Sequence, residues 1–183
     1  MHIGADIGSV SVNLVVLDDG FNVIDDYYLR HRGQPLATLA AGLEDILTRR
    51  PGAADGSLTL TGSGGSLAAS VMNAGFVNEI VAQTAAVSRL HPRVRTVIEI
   101  GGQDSKLIVL GEDEKTGKTV IRDFAMNMIC AAGTGSFLDQ QASRMGLSIE
   151  EFGDLALQSA VPPRIAGRCS VFAKSDMIHL QQE

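Results

Sequence analysis

The sequence predicts an α/β protein built of two lobes, and three observations support this. Apolar residues make up 45% and charged residues 20% of the 183 positions, the balance of an ordinary globular chain. Apolar runs bounded by Gly-rich turns alternate with helical patterns. A unit of strand, tight Gly-bearing turn and second strand occurs twice, with its turn near residue 8 and again near residue 102. We therefore expect two lobes on one plan, residues 1–93 and 94–183.

The first lobe opens with a meander of hairpins. Its three strand-like runs are residues 2–8, 11–19 and 22–30, separated by Gly-Ser and Asp-Gly turns. A helix is predicted from Pro35 to about Arg50, because proline suits a helix start and Pro-Gly follows its end.

The rest of the first lobe predicts one strand and two helices. Residues 58–62 form a short apolar run that leads into a Ser-Gly-Gly loop. A helix is then expected from Ser66 to about Asn73, closed by Gly75. A further helix is expected from about Gln83 to Leu90, stopping before a proline.

The second lobe repeats the meander and then becomes helical. Residues 96–110 read as strand, Gly-rich turn and strand, and residues 119–127 add a third strand. Two helices follow, and the second is opened by Ser148 with Glu151 three positions on, the pattern of a capping box. Residues 161–168 predict a loop. The stretch from residue 169 is expected to begin as strand or turn and to end as helix.

Composition and charge exclude several functions. The net charge of −6 argues against a protein that binds the phosphate backbone of nucleic acid. No apolar run approaches the roughly 18 to 20 residues of a membrane span, and the first residues lack the basic region of a signal peptide. We therefore expect a cytoplasmic protein with no nucleic-acid or membrane partner. In a reducing cytosol the only two cysteines, Cys130 and Cys169, are not expected to form a structural disulfide.

The first Gly-bearing turn has the composition of a phosphate loop. A glycine at position 8 lets backbone N–H groups approach a phosphate, and Ser9 and Ser11 add hydroxyl groups. The carboxylate of Asp6, at the strand end, is able to hold Mg²⁺ through water. The alternative is a hairpin whose Gly and Ser residues only satisfy turn geometry.

The second turn is the counterpart of the first. It contains Gly101, Gly102, Gln103 and Asp104. Two such turns would clamp a triphosphate between lobes, with Gln103 or Asp104 orienting an attacking water, because phosphoryl transfer depends chiefly on positioning. The sequence has neither a Walker loop nor a GxGxxG after a strand.

The cysteines are either small buried apolar residues or metal ligands. Cys130 precedes a helix expected to begin near Gly133, whose free N–H groups and positive dipole end favour a thiolate. One chain has too few cysteines for the four thiolates of an iron–sulfur cube, but two chains on a two-fold axis would supply them. The histidines show no ligand spacing and are interpreted as surface or incidental residues: His2, His31, His91 and His179.

Five motifs, in this order and spacing, resemble one protein family. They are DIGS, TGSGG, EIGGQDSK, the run from Met126 to Gln140 that contains CAAGTGSFLDQ, and RCSVFAKSD. The chain resembles the BadF/BadG/BcrA/BcrD-type ATPases, which activate 2-hydroxyacyl-CoA dehydratases and are relatives of the ATP-binding subunits of benzoyl-CoA reductase. The amino-acid sequence of the last motif is similar to that of modules of larger CoA-enzyme activases.

The resemblance implies a fold and a set of cofactors. The fold is the acetate/sugar kinase–Hsp70–actin fold, with two ribonuclease-H-like lobes and a second lobe that is incomplete in this chain. ATP or ADP and Mg²⁺ would lie between the lobes. One four-iron four-sulfur cluster would be shared by a homodimer and held by Cys130 and Cys169 of both subunits. Ferredoxin or flavodoxin would supply an electron that passes, coupled to ATP hydrolysis, to a CoA-linked dehydratase or reductase.

The resemblance also implies roles for single residues. It assigns Asp6, Gly8, Ser9 and Ser11 to the first phosphate loop, and Gly101, Gly102, Gln103 and Asp104 to the second, with Asp104 orienting water or Mg²⁺. Gly133 and Gly135 fall in the Gly-rich motif after Cys130 and are counted with the cofactor-binding residues. Family members often have lysine where this chain has Asn13.

Two other functions fit the same fold. A small-molecule kinase would use Asp104 as a base toward a substrate hydroxyl, with incidental cysteines. An actin-like assembly or regulatory module would bind nucleotide without redox chemistry. The cysteine motifs argue against the kinase, and absorbance at about 400 nm after anaerobic purification would separate the activator from both alternatives.

Overall fold

A computed structural model describes residues 1–127 and 133–182 of the chain. The chain divides into two compact units. The first comprises Met1–Arg95 with Leu110–Ile121, and the second comprises Thr96–Val109 with Arg122–Glu183. Among the described residues, no helix combines the length and the apolarity needed to cross a bilayer.

The first unit is built on a mixed five-stranded sheet of order β3-β2-β1-β4-β5. Its strands are β1 (His2–Ile7), β2 (Ser11–Leu17), β3 (Val23–Arg30), β4 (Ser57–Thr61) and β5 (Gly75–Phe76). The first three strands form the predicted antiparallel meander. Strand β4 returns to pair parallel with β1, and β5 pairs parallel with β4. The carboxyl ends of β1 and β4 therefore lie side by side.

The same unit contains three helices, α1 (Pro35–Arg49), α2 (Gly65–Met72) and α3 (Glu79–Leu90), with a 3-10 turn at Pro51–Ala53. Helix α1 buries one stripe, Leu39, Leu43 and Ile46, at the spacing of an amphipathic helix. Gly42 lies on the same stripe, where a Cβ would overlap the side chains of Leu14 and Leu29. Close approach of α1 to the sheet therefore depends on that glycine. The core combines this stripe with alternate residues of β1 and β2.

The remaining strands are β6 (Thr96–Ile100), β7 (Ser105–Glu112) and β8 (Thr119–Met126), which form a sheet of order β6-β7-β8. Strands β6 and β7 are antiparallel, with Glu99 opposite Lys106 and Ile100 opposite Ser105. Three helices follow in the chain: α4 (Gly135–Arg144), α5 (Ile149–Leu157) and α6 (Ser170–Leu180).

Helix boundaries are where the sequence predictions were least accurate. Helix α3 begins at Glu79, earlier than predicted, because the Asn78 side chain accepts a hydrogen bond from the Ile80 N–H and caps the helix. Helix α2 ends at Met72, and its C-cap residue Asn73, not Gly75, adopts the left-handed conformation. The expected strand or turn after Cys169 was wrong, since helix begins at Ser170. The capping box of Ser148 and Glu151 is confirmed.

Candidate functional site

The first candidate site surrounds the turn between β1 and β2. The Gly8 N–H donates to the carbonyl of Ser11 at 3.0 Å, which closes a four-residue turn. Asp6 and Asn13 are paired across the two strands, and the Asn13 amide donates to the Asp6 carboxylate at 3.5 Å. The predicted residues Asp6, Gly8, Ser9 and Ser11 therefore lie together at one end of this sheet.

The loop between β4 and α2 adds a second wall to this turn. The Gly64 N–H donates to the carbonyl of Ile7 at 2.9 Å. Gly62 has a φ of +87°, and a Cβ there would overlap the Asp6 carboxylate and lie 2.6 Å from the carbonyl of Ile7. Only glycine combines this backbone conformation with such a close approach. The TGSGG motif thus forms part of the site, which the sequence analysis did not assign to it.

A histidine also contacts the first turn. The Gly33 N–H donates to Nδ1 of His31 at 3.0 Å. Because that nitrogen accepts, Nε2 carries the proton in the neutral ring and donates to the carbonyl of Gly8 at 3.3 Å. The backbone N–H of His31 also donates to the carbonyl of Val10. His31, interpreted from sequence as incidental, therefore braces the predicted phosphate loop.

The second candidate site is the turn between β6 and β7. The Gly101 N–H donates to the carbonyl of Asp104 at 2.9 Å. Helix α4 is tied to the same turn, since the N–H groups of Gly135 and Ser136 donate to the carbonyls of Gly101 and Gly102 at 2.9 and 2.8 Å. Two of the four N–H groups that a helix start leaves open are satisfied in this way. The turn and the start of α4 are thus one connected piece.

Charged side chains converge beneath this turn. Lys106 is 4% exposed, and its ammonium lies 2.9 Å from a carboxylate oxygen of Glu99 and 3.0 Å from one of Asp104. A buried ammonium group is tolerated when it is paired in this way. The Gln103 side chain is exposed. The structure therefore gives Asp104 a fixed cationic neighbour.

Cys169 lies at the amino end of α6. It is the N-cap residue in extended conformation, and its carbonyl accepts from the Ala173 N–H at 2.9 Å. The Ala166 N–H donates to the carboxylate of Asp176 at 2.9 Å, which fixes the preceding loop to the helix. The thiol is partly exposed and free of any disulfide. Such a position suits an anionic ligand, because the helix dipole is positive there.

The donor groups fit the implied cofactors to different extents. Carboxylate and hydroxyl oxygens with adjacent backbone N–H groups, as around Asp6, suit a magnesium–phosphate group. Cys169 fits as one thiolate ligand of a cluster, whereas Cys130 lies outside the described residues. Over residues 1–127 and 133–182, no group of three or more His, Cys, Asp or Glu residues is placed to hold a metal ion.

The chain is similar in sequence and in structure to several known proteins. YjiL, an uncharacterized protein of Escherichia coli strain K12, is 37% identical over 180 residues, which cover 98% of this chain. The activator of lactoyl-CoA dehydratase from Anaerotignum propionicum is 32% identical over 180 residues, which cover 96%. The structure of the activator of 2-hydroxyisocaproyl-CoA dehydratase from Clostridium difficile with bound ADPNP is similar over 99% of this chain, with a TM-score of 0.80 and 30% identity.

The chain spans 66% of the length of each of these three proteins. The similarity to the solved activator confirms the predicted α/β fold of the acetate/sugar kinase–Hsp70–actin type. The sequence profile of the BadF/BadG/BcrA/BcrD ATPase family matches residues 3–183. Since that match takes in both candidate turns and both cysteine motifs, the chain belongs to the BadF/BadG/BcrA/BcrD ATPase family.

Proposed function

We propose that this chain binds and hydrolyses ATP as part of an activator of a 2-hydroxyacyl-CoA dehydratase or a benzoyl-CoA reductase-like enzyme. The observation that carries the proposal is the TM-score of 0.80 to a dehydratase activator with bound ADPNP, at 30% identity. The name of the lactoyl-CoA dehydratase activator supports the same class of partner. The two turns supply the residues for the nucleotide chemistry.

In the proposed reaction each turn would bind phosphate oxygens, and the turn between β6 and β7 would position a water. The N–H groups of Ser9 and Gly102 would donate to phosphate oxygens, because those of Gly8 and Gly101 already donate within their turns, while Asp6 would hold Mg²⁺ through water. Asp104, with Gln103, would orient the attacking water. The water oxygen bonds to the γ-phosphorus, the bond from that phosphorus to the bridging oxygen breaks, and the water proton is released through Asp104. ADP and inorganic phosphate result.

The second part of the proposal concerns electron transfer. Cys130 and Cys169 from each of two subunits would supply four thiolates at a dimer interface, each near the start of a helix. A four-iron four-sulfur cluster bound there would supply low-potential one-electron transfer from ferredoxin or flavodoxin to the CoA-linked enzyme.

The proposal keeps the two lobes predicted from the sequence, residues 1–93 and 94–183. The hydrogen bonds from the start of α4 to the carbonyls of Gly101 and Gly102 support coupling between this helix and the second turn.

The hydrolysis step is tested by replacing Asp104. We expect Asp104→Ala to lower the turnover of ATP, measured as phosphate release, by about 10²-fold or more, because a positioned proton acceptor is removed. Asp55→Ala is the matched control, since Asp55 is an exposed carboxylate on the loop before β4. That control should hydrolyse ATP at the wild-type rate. Equal rates for wild type and Asp104→Ala would contradict the assignment.

A further inference from the structure

A buried lysine joins two carboxylates under the turn between β6 and β7. The ammonium of Lys106 lies 2.9 Å from Glu99 and 3.0 Å from Asp104, and the three side chains are 4%, 22% and 40% exposed. Exposure thus increases from the lysine to Asp104. The arrangement presents one carboxylate outward and keeps its cation inside.

The strand register produces this arrangement. Glu99 and Lys106 are directly opposite in the antiparallel pair of β6 and β7. Asp104 lies in the turn, directly before the first residue of β7, and its carboxylate reaches the same ammonium. Strand register and a short turn therefore bring the three charged groups together. The arrangement does not depend on the conformation of a long loop.

The absence of a side chain at Gly101 leaves space for the carboxylates of Glu99 and Asp104. A Cβ on Gly101 would lie 2.8 Å from one oxygen of Glu99 and 3.1 Å from one oxygen of Asp104. The two carboxylates thus approach the backbone of Gly101 closely. Two carboxylates this near repel one another unless a cation lies between them, and Lys106 is that cation.

We propose that Lys106 is a positioning residue, which holds the Asp104 carboxylate in the orientation that ATP hydrolysis requires. Glu99 has a separate role, since it takes a second hydrogen bond of the ammonium and anchors the lysine below the turn. Lys106 then acts on the reaction through Asp104 and does not bind the phosphates. This inference rests on the proposed ATP hydrolysis.

The test compares turnover with nucleotide affinity. We expect Lys106→Met to lower kcat for ATP by about tenfold to a hundredfold, because a misplaced catalytic group has an effect of that size. The dissociation constant of a fluorescent ADP analogue should change less than about threefold, because the lysine does not touch the nucleotide. Lys106→Arg, which keeps the cation, should recover most of the lost turnover. A phosphate-binding lysine would instead weaken nucleotide affinity.

Loss of folding is separated from loss of positioning by a second variant. Lys106→Met leaves two carboxylates facing each other, whereas Glu99→Gln with Lys106→Met removes that repulsion and still leaves Asp104 without its cation. We expect the double variant to melt near the wild-type temperature and to keep the low kcat. Wild-type kcat in the double variant would overturn the inference while ATP hydrolysis stands. Absence of hydrolysis in the wild-type protein would overturn the proposed function and this inference together.

Discussion

The first candidate site depends on a glycine at which no side chain would fit. Gly62 has a positive φ, and a Cβ there would overlap the Asp6 carboxylate and the carbonyl of Ile7. We expect Gly62→Ala to destabilise the protein by about 1–2 kcal/mol from backbone strain and by roughly 1–3 kcal/mol more from overlap. Urea unfolding followed by circular dichroism measures the sum.

Gly33→Ala separates the two effects. Gly33 also has a positive φ, of +84°, but a Cβ there would meet nothing within 4 Å. It should therefore show the backbone strain alone. Equal destabilisation by the two substitutions would contradict the close approach of Gly62 to Asp6.

His31 shows what sequence alone does not reveal about single residues. Its position between β3 and α1 carries no pattern, and the sequence analysis interpreted it as incidental. In the structure its ring joins the backbone of Gly33 to that of Gly8. Both partners are backbone groups, and Gly8 is 23 positions away in the chain. The spacing of side-chain types in a sequence does not predict contacts of this kind. The TGSGG motif, by contrast, offered a signal for the β4–α2 loop.

Side chains next to a helix end determine where the helix begins, and the capping box of α5 allows a direct test. The Ser148 hydroxyl accepts from the Glu151 N–H at 3.1 Å, and the Ser148 N–H donates to the Glu151 carboxylate at 2.7 Å. We expect Ser148→Ala to lower the free energy of unfolding by about 1 kcal/mol, because an open N–H group loses its partner. Ser159→Ala, just beyond the same helix, is the control and should have little effect.

The same capping box predicts a pH dependence. Hydrogen bonds from the backbone N–H and then the side chain of Ser148 hold the pKa of Glu151 below its ordinary value of 4.5. A lowered pKa in the folded state means that the contribution to stability is complete above that ordinary value and is lost as pH falls through the folded-state value. The stability difference between wild type and Glu151→Gln should therefore shrink below about pH 4.5. A difference that stays constant down to pH 3 would contradict the cap.

Element types were more predictable than element boundaries and partners. The two units of strand, turn and strand follow from alternating apolar residues, which is a local signal. The parallel pairing of β1 with β4 is not local and was not predicted. Helix α6 was missed at its start because Val171 and Phe172 favour strands, yet both side chains are exposed in the helix while Ala173 is buried. Tertiary packing overrode local preference there.

For the whole molecule, the sequence motifs predicted the fold and the family, and both are confirmed. The motifs succeed because they combine backbone-determining glycines with charged residues at fixed strand ends, so order and spacing encode the fold. Cofactor assembly is different. It depends on Cys130, outside the described residues, and on a second copy of the chain, so it stays a proposal.

The most direct test of that proposal is the iron and acid-labile sulfide content of anaerobically reconstituted protein, with molar mass measured by light scattering. We expect about two irons per chain in a dimer, since one cube with four thiolates serves two chains. Cys130→Ala and Cys169→Ala should each lose the iron, whereas Ser175→Ala, an exposed position of α6, should keep it. An iron-free monomer that still hydrolyses ATP would contradict the shared cluster and favour a kinase-like enzyme.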